Sequence, residues 1–162
     1  MIVSTHYFSP FGCFELTGSK LGLRTVRLVD TKPCPAGPIP PELRNAVRQL
    51  DEYFKQQRRA FDLKLDWSEA TDFHQRVWQA LLEVDYGKTT SYLAIAEKLG
   101  DAKAVRAVGQ ANRLNPIAII VPCHRVIAKN GDLQGYFYGL DFKRRLLALE
   151  NPLAFAEQGS LF

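Results

Sequence analysis

Residues 31–41, TKPCPAGPIPP, hold five prolines and a glycine, and no helix or sheet ladder runs through such a stretch. Proline removes a backbone donor and fixes φ, so the segment must be a loop. On its N-terminal side Val3, Thr5 and Tyr7 alternate up to the turn Ser9-Pro10-Phe11-Gly12. Phe14, Leu16 and then Leu23 to Val29 resume the extended pattern, which predicts a small antiparallel sheet. On its C-terminal side Pro41 suits a first helical turn, and Leu43, Val47, Leu50 and Phe54 fall on one helical face. Phe61, Leu63, Leu65 and Trp67 alternate again and predict one more strand.

The polar stretch SEATD, residues 68–72, offers Thr71 as a helix N-cap and places a domain boundary there, between residues 1–70 and 71–162. The C-terminal part reads as mostly helical. Phe73, Val77, Trp78 and Leu81 make one amphipathic helix, stopped by Asp85-Tyr86-Gly87. SYLAIAEKL, residues 91–99, makes a second that ends at Gly100, and Asp101 caps a third through KAVRAVGQAN. Two short helices joined at a glycine predict a helix-turn-helix. Ile117 to Val121, between Pro116 and Pro122, reads as a short buried strand or extended segment with Cys123 at its exit. A last helix from Asp141 buries Phe142, Leu146 and Leu149 and ends before Pro152. The fold class expected is α+β.

A chain of 162 residues with 46% hydrophobic content can bury one ordinary core or two small ones. No apolar run approaches the roughly 20 residues that cross a bilayer, and MIVSTHYFSP lacks the pattern of a signal peptide, so no membrane partner and a cytoplasmic setting are expected. Cys13, Cys34 and Cys123 are odd in number and widely spaced, which predicts reduced thiols. The net charge of +4 is compatible with a polyanionic partner but selects none.

A lone intracellular cysteine is usually a small buried hydrophobe. Cys13 and Cys34 fit that description. Cys123 departs from it, because His124 and Arg125 come directly after it and basic neighbours favour the nucleophilic thiolate. Zinc is disfavoured, since adjacent residues rarely converge on one ion and no paired ligand spacing exists. A cysteine hydrolase stays open, with Asn115 or Glu150 as the group orienting the histidine. The third helix offers Ala104, Ala107 and Gly109 around Arg106. That surface suits a minor groove, where the one guanidinium could replace a base that has left the stack. Alanine and glycine also serve plain helix packing.

Together these residues resemble the O6-alkylguanine-DNA alkyltransferase family over essentially the whole chain. The resemblance rests on Pro122-Cys123-His124-Arg125-Val126 after Asn115-Pro116, and on Gly135-Tyr136. It extends to Arg76-Val77-Trp78, Gly87 with Ser91-Tyr92, Lys103 to Gly109, and Leu146-Leu147 with Glu150. It implies a ribonuclease H-like N-terminal domain and a winged-helix-like C-terminal one. It also implies single-turnover transfer of an alkyl group from O6-alkylguanine to Cys123 after base flipping, with O4-alkylthymine left open as a second substrate. His124 would take the thiol proton through a water, Glu150 would hold the imidazole, and Tyr92 would assist the leaving base. Asn115 would tie the recognition helix to the cysteine loop. Arg106, Ala104, Ala107, Gly109, Ser91, Arg113 and Tyr92 would contact double-stranded DNA from the minor groove. Val126, Tyr136, Phe137 and Tyr138 would form the base pocket, with Phe137-Tyr138 narrowing it where some relatives carry Ser and Gly. Ser19 and Arg24 stand where zinc-binding relatives have Cys and His, so no metal is expected, nor any cofactor, and the protein should act as a monomer. The competing reading is a non-catalytic damage sensor, whose members carry Trp at the nucleophile position.

Overall fold

The computed structural model describes residues 1–128 and 135–154. Its chain divides into two units, residues 1–69 with 116–120, and residues 70–115 with those from 121 onward. The five residues 116–120 therefore join the first unit, although the sequence pattern groups them with the second.

In the first unit β1 (Val3–Ser9), β2 (Gly12–Ser19) and β3 (Gly22–Val29) form an antiparallel sheet in that order, with Tyr7 opposite Phe14 and Leu16 opposite Val26. Helix α1 (Pro41–Phe54) packs on it through Leu43, Ala46, Leu50, Tyr53 and Phe54; Val47 is only half-buried at the margin of that face. Phe14, Leu16, Leu23 and Val26 supply the sheet's side of the core. The strand expected over residues 61–67 does not form: only Leu65 makes a bridge, parallel to Leu23. Gly22, at φ +142°, permits this approach, because a Cβ there would lie 2.5 Å from the Lys64 carbonyl oxygen. The same edge of β3 is used again by Ile117, which bridges Val26 while Ala118 donates to the Val26 carbonyl at 3.0 Å. Two short segments thus cover an edge that would otherwise expose unpaired backbone groups.

The expectation of reduced thiols at Cys13 and Cys34 is overturned, because their sulfurs are bonded and their Cα atoms lie 5.5 Å apart. Cys13 lies near the start of β2, opposite Val29 at the end of β3, and the chain leaving β3 turns back beside it. Ser19 and Arg24 converge on Asp66, at 2.6 and 3.2 Å from its Oδ2. Hydrogen bonds from Ser19 and Ser68 lead in lowering that carboxyl to about 2.

The second unit is helical. Thr71 caps α2 (Asp72–Leu82) by accepting from the His74 amide at 3.1 Å, a cap worth about 1 kcal/mol. Ser91 caps α3 (Tyr92–Lys98) through the Ala94 amide. Gly100, at φ +88°, makes the turn that Cβ-bearing residues resist. Asp101 then caps a 3₁₀ turn, Ala102–Ala104, leading into α4 (Val105–Arg113). Trp78 joins α2 to α4 by donating from Nε1 to the Ala111 carbonyl at 2.8 Å. Helix α5 (Leu140–Glu150) buries Phe142, Lys143, Leu146, Leu147 and Glu150, with Leu149 only half-buried.

Residues 117–121, expected as a short buried strand or extended segment, are buried as expected but make a single bridge followed by tight turns. The Ile120 amide donates to the Ala118 carbonyl and the Cys123 amide to the Val121 carbonyl, each at 2.8 Å. Ile119, within the first of these turns, sits at φ +72°, a left-handed conformation that β-branched residues strongly disfavour.

Candidate active site

Cys123 begins a 3₁₀ turn, Cys123–Arg125, and is buried. Its sulfur receives a hydrogen bond from Asn115 Nδ2 at 3.2 Å, and the same amide nitrogen donates to the Val121 carbonyl at 2.8 Å. The Tyr136 hydroxyl lies 4.0 Å from Sγ, and Asn112 Nδ2 donates to the Cys123 carbonyl at 3.4 Å. These groups hold the turn from the α4 side and from the segment before α5.

Behind the cysteine, His124 Nε2 lies 2.7 Å from Glu150 Oε2 in a fully buried pair. Arg125 donates to both Glu150 oxygens, at 2.8 and 3.1 Å, and to the Val84 carbonyl at 2.6 Å. Burial alone would raise the Glu150 carboxyl, but the charges and hydrogen bonds of His124 and Arg125 hold it well below the ordinary carboxylate range. An ionised carboxylate can only accept, so Nε2 must carry the proton. Burial pushes His124 below 6.5 despite Glu150. The imidazole is therefore neutral at neutral pH, with its acceptor lone pair on Nδ1, which meets no hydrogen-bond partner among the described residues.

The thiol behaves differently from what its sequence neighbours suggest. Burial raises the Cys123 pKa, opposed by hydrogen bonding to Asn115 and Tyr136 and by the charge of Lys143. Arg125 is not the cation that acts on it, because its guanidinium is committed to Glu150. The resting sulfur is protonated and requires a base to become a strong nucleophile. Burial likewise raises the Tyr92 phenol, against a hydrogen bond with Asn112, so this residue remains an O–H donor.

A cavity of about 350 Å³ opens on Cys123, lined by Tyr92, Gly109, Asn112, Arg113, Asn115 and the aromatic segment Tyr136, Phe137 and Tyr138. Tyr136 and Tyr138 stand edge to face at 5.8 Å, as do Phe137 and Tyr138 at 5.0 Å. Of the remaining residues singled out from sequence, Val126 is buried and does not line the cavity. Gly109 lies against the Tyr92 ring, and the Ser91 hydroxyl is occupied by its capping bond. On α4, Arg106, Ala107 and Arg113 are exposed, and Ala104 just before it is half-buried.

Residues 2–67 match the model of the ribonuclease-like domain of 6-O-methylguanine DNA methyltransferase, and residues 72–152 match that of its DNA-binding domain. The chain belongs to this methyltransferase family. It is 48% identical over 147 residues to the methylated-DNA–protein-cysteine methyltransferase of Methanosarcina acetivorans, covering 88% of this chain and 94% of that protein. With the Mycobacterium tuberculosis protein of the same name identity is 46% over 153 residues, 92% of each chain. The crystal structure of Mycobacterium tuberculosis O6-methylguanine methyltransferase superposes with a TM-score of 0.82 at 45% identity over 94% of both chains. That of Mycobacterium tuberculosis OGT in complex with DNA gives 0.82 at 45% identity over 92% of each.

Within this methyltransferase, sequence reasoning missed two residues of the site. Lys143 is fully buried, donates from Nζ to the Val126 and Gly135 carbonyls, and stands 5.9 Å from the Tyr136 ring centre. Burial brings its pKa down to about 8. The signal was present: Lys143 and Glu150 share the buried stripe of Leu146 and Leu147, at spacings of three, four and seven. Asn112 is the second, in helical register with buried Val108 and Ala111. Polar residues on a buried helical face are there for a partner.

Proposed function

We propose that this methyltransferase reverses alkylation damage in DNA directly, with Cys123 Sγ as the acceptor of the alkyl group from O6 of guanine. The observation that carries the reading is a buried thiol in a cavity wall, followed by a neutral imidazole whose Nε2–H is fixed by an ionised carboxylate at 2.7 Å. The thiol proton passes to His124 Nδ1 through a water. A sulfur lone pair attacks the alkyl carbon in line, the C–O bond breaks, and its electrons move onto the guanine ring. Tyr92 stabilises that leaving charge with its phenolic proton. The products are guanine and a thioether on Cys123, which no group of the site can hydrolyse, so each molecule acts once.

The substrate is double-stranded DNA approached from the minor groove, with the damaged base turned out into the cavity. Exposed Arg106 on α4, flanked by small residues, supports its role as the side chain that fills the emptied stack. Asn115 bonds both the sulfur and the turn before it, which supports a role in fixing the nucleophile. The rings of Phe137 and Tyr138 limit the alkyl groups admitted. The protein acts as a monomer without cofactor, in the cytoplasm; among the described residues no helix is long and apolar enough to cross a membrane.

The test is intact-mass measurement after mixing with a duplex containing O6-methylguanine, followed by peptide mapping. A gain of one methyl group on Cys123, with restoration of guanine, is expected. A duplex that returns unchanged from folded protein with a free Cys123 thiol defeats the proposal.

A further inference from the structure

Besides the acceptor thiol, the chain carries a second sulfur centre that alkyl transfer does not use. Cys13 is buried and sits in the sheet ladder, opposite Phe8 and Val29. Cys34 is half-exposed in the proline-rich segment. Among the described residues, no backbone hydrogen bond outside the regular elements involves residues 31–38. The next anchors are Ile39, whose carbonyl accepts from Arg44, and Pro40, whose carbonyl accepts from the Leu43 amide. The covalent bond to Cys13 is thus the principal tie between this segment and the sheet.

Access to the two sulfurs is unequal. A cleft of about 660 Å³ borders the bond, walled by Phe8, Phe11, Leu28 and Pro33. Lys32 lines the same cleft with its side chain 88% exposed, and among the described residues it pairs with exposed Asp30 at 4.0 Å. Both cysteines line this cleft, but an incoming thiolate meets a half-exposed residue and a nearby cation at Cys34, whereas Cys13 is only 5% exposed. The sulfur attacked in thiol–disulfide exchange is set largely by such access.

We propose that the Cys13–Cys34 bond is a thiol-exchange site, opened at Cys34 by a low-molecular-weight thiol, and that opening it releases residues 31–38 from the sheet. In the first step the thiolate bonds to Cys34 Sγ, the Sγ–Sγ bond breaks, and Cys13 leaves as a thiolate that takes a proton from water. A second thiolate then attacks the mixed disulfide, giving reduced Cys34 and the oxidised form of the small thiol. Two thiols are oxidised as one protein disulfide is reduced. In reducing compartments, disulfides of mesophilic proteins are mostly of this exchangeable kind.

The test treats protein purified without reductant with glutathione over a series of thiol-to-disulfide ratios and maps adducts at all three cysteines by mass. A glutathione adduct on Cys34 is expected at intermediate ratios, with Cys13 present as free thiol. Digestion with elastase, which cuts after small residues, should cleave after Ala36 at least tenfold faster in the opened protein. Cys34→Ser without any thiol should cleave at the opened rate. The melting temperature should fall on the order of 10 °C on reduction, since the bond closes a long loop. An adduct on Cys13 in place of Cys34, a bond that survives thiol excess, or equal cleavage of bonded and opened wild-type protein overturns the proposal.

Discussion

The two sulfur centres of this chain are both largely sheltered, yet they are built in opposite ways. Around Cys123 the shelter is a web of directed polar groups: Asn115 on the sulfur, Asn112 on its carbonyl, and His124 with Glu150 behind it. Around Cys13 and Cys34 the shelter is apolar, and a single covalent bond does the holding. Burial by itself makes a sulfur unreactive, and the two centres depart from that rule differently: the disulfide through half-exposed Cys34, and the Cys123 thiol through a base whose own protonation state is fixed by a third group.

The sharpest break between the centres is expected from removing each sulfur in turn. Cys123→Ala should lower alkyl transfer more than about a thousandfold, to the limit of detection, while duplex binding persists. Cys34→Ser should leave the transfer rate within about twofold of the parent. Single-turnover transfer to protein, followed by mass, reads both, and a dead Cys34→Ser protein that still binds DNA would erase the distinction.

A smaller effect is expected from Glu150→Gln. It removes the negative charge, leaves one accepting oxygen where His124 and Arg125 now share two, and buries the Arg125 guanidinium without an anion. Transfer should slow roughly 100-fold, and unfolding should become easier by about 3–5 kcal/mol. Because the folded carboxyl lies below its ordinary 4.5, its contribution to stability is present above that pH and fades as pH falls beneath it. Denaturant titrations of parent and variant should therefore converge in acid.

The smallest effect is a flatness. With His124 shifted below 6.5 the base is already more than half neutral at that pH, so the transfer rate should vary by less than about twofold from pH 6.5 to about 8 and decline further only in more acid solution. An unassisted thiol would gain roughly tenfold per unit over the same range. Rapid-quench rates on one duplex separate the two.

Much of this was legible in the residues because local rules govern it. The capping role of Thr71 and the glycine turn at Gly100 depend on a few neighbouring positions, and both are seen in the structure; Asp101 caps as well, but on the 3₁₀ turn before α4 and not on the helix itself. The sequence over 61–67 alternates correctly for a strand, but β3 has one free edge and two segments share it, so only Leu65 bridges. Residues 117–121 are apolar enough for a strand, yet Ile119 turns left-handed and breaks the run. Spacing arithmetic could not find the Cys13–Cys34 bond, because it arises from the chain reversing after β3. Arg125 misled for a related reason: adjacency in sequence says nothing about where a long side chain ends, and this one ends on Glu150.

The shared edge of β3 has a practical consequence for anyone dissecting the chain. A fragment cut at residue 70 retains β1, β2, β3 and α1 but loses Pro116 and Ala118, leaving Val26 with its amide and carbonyl open to solvent or to another copy. Such a piece is a template for edge-to-edge association. Soluble dissection therefore calls for the 116–120 pentapeptide to be supplied in trans or spliced back beside the sheet.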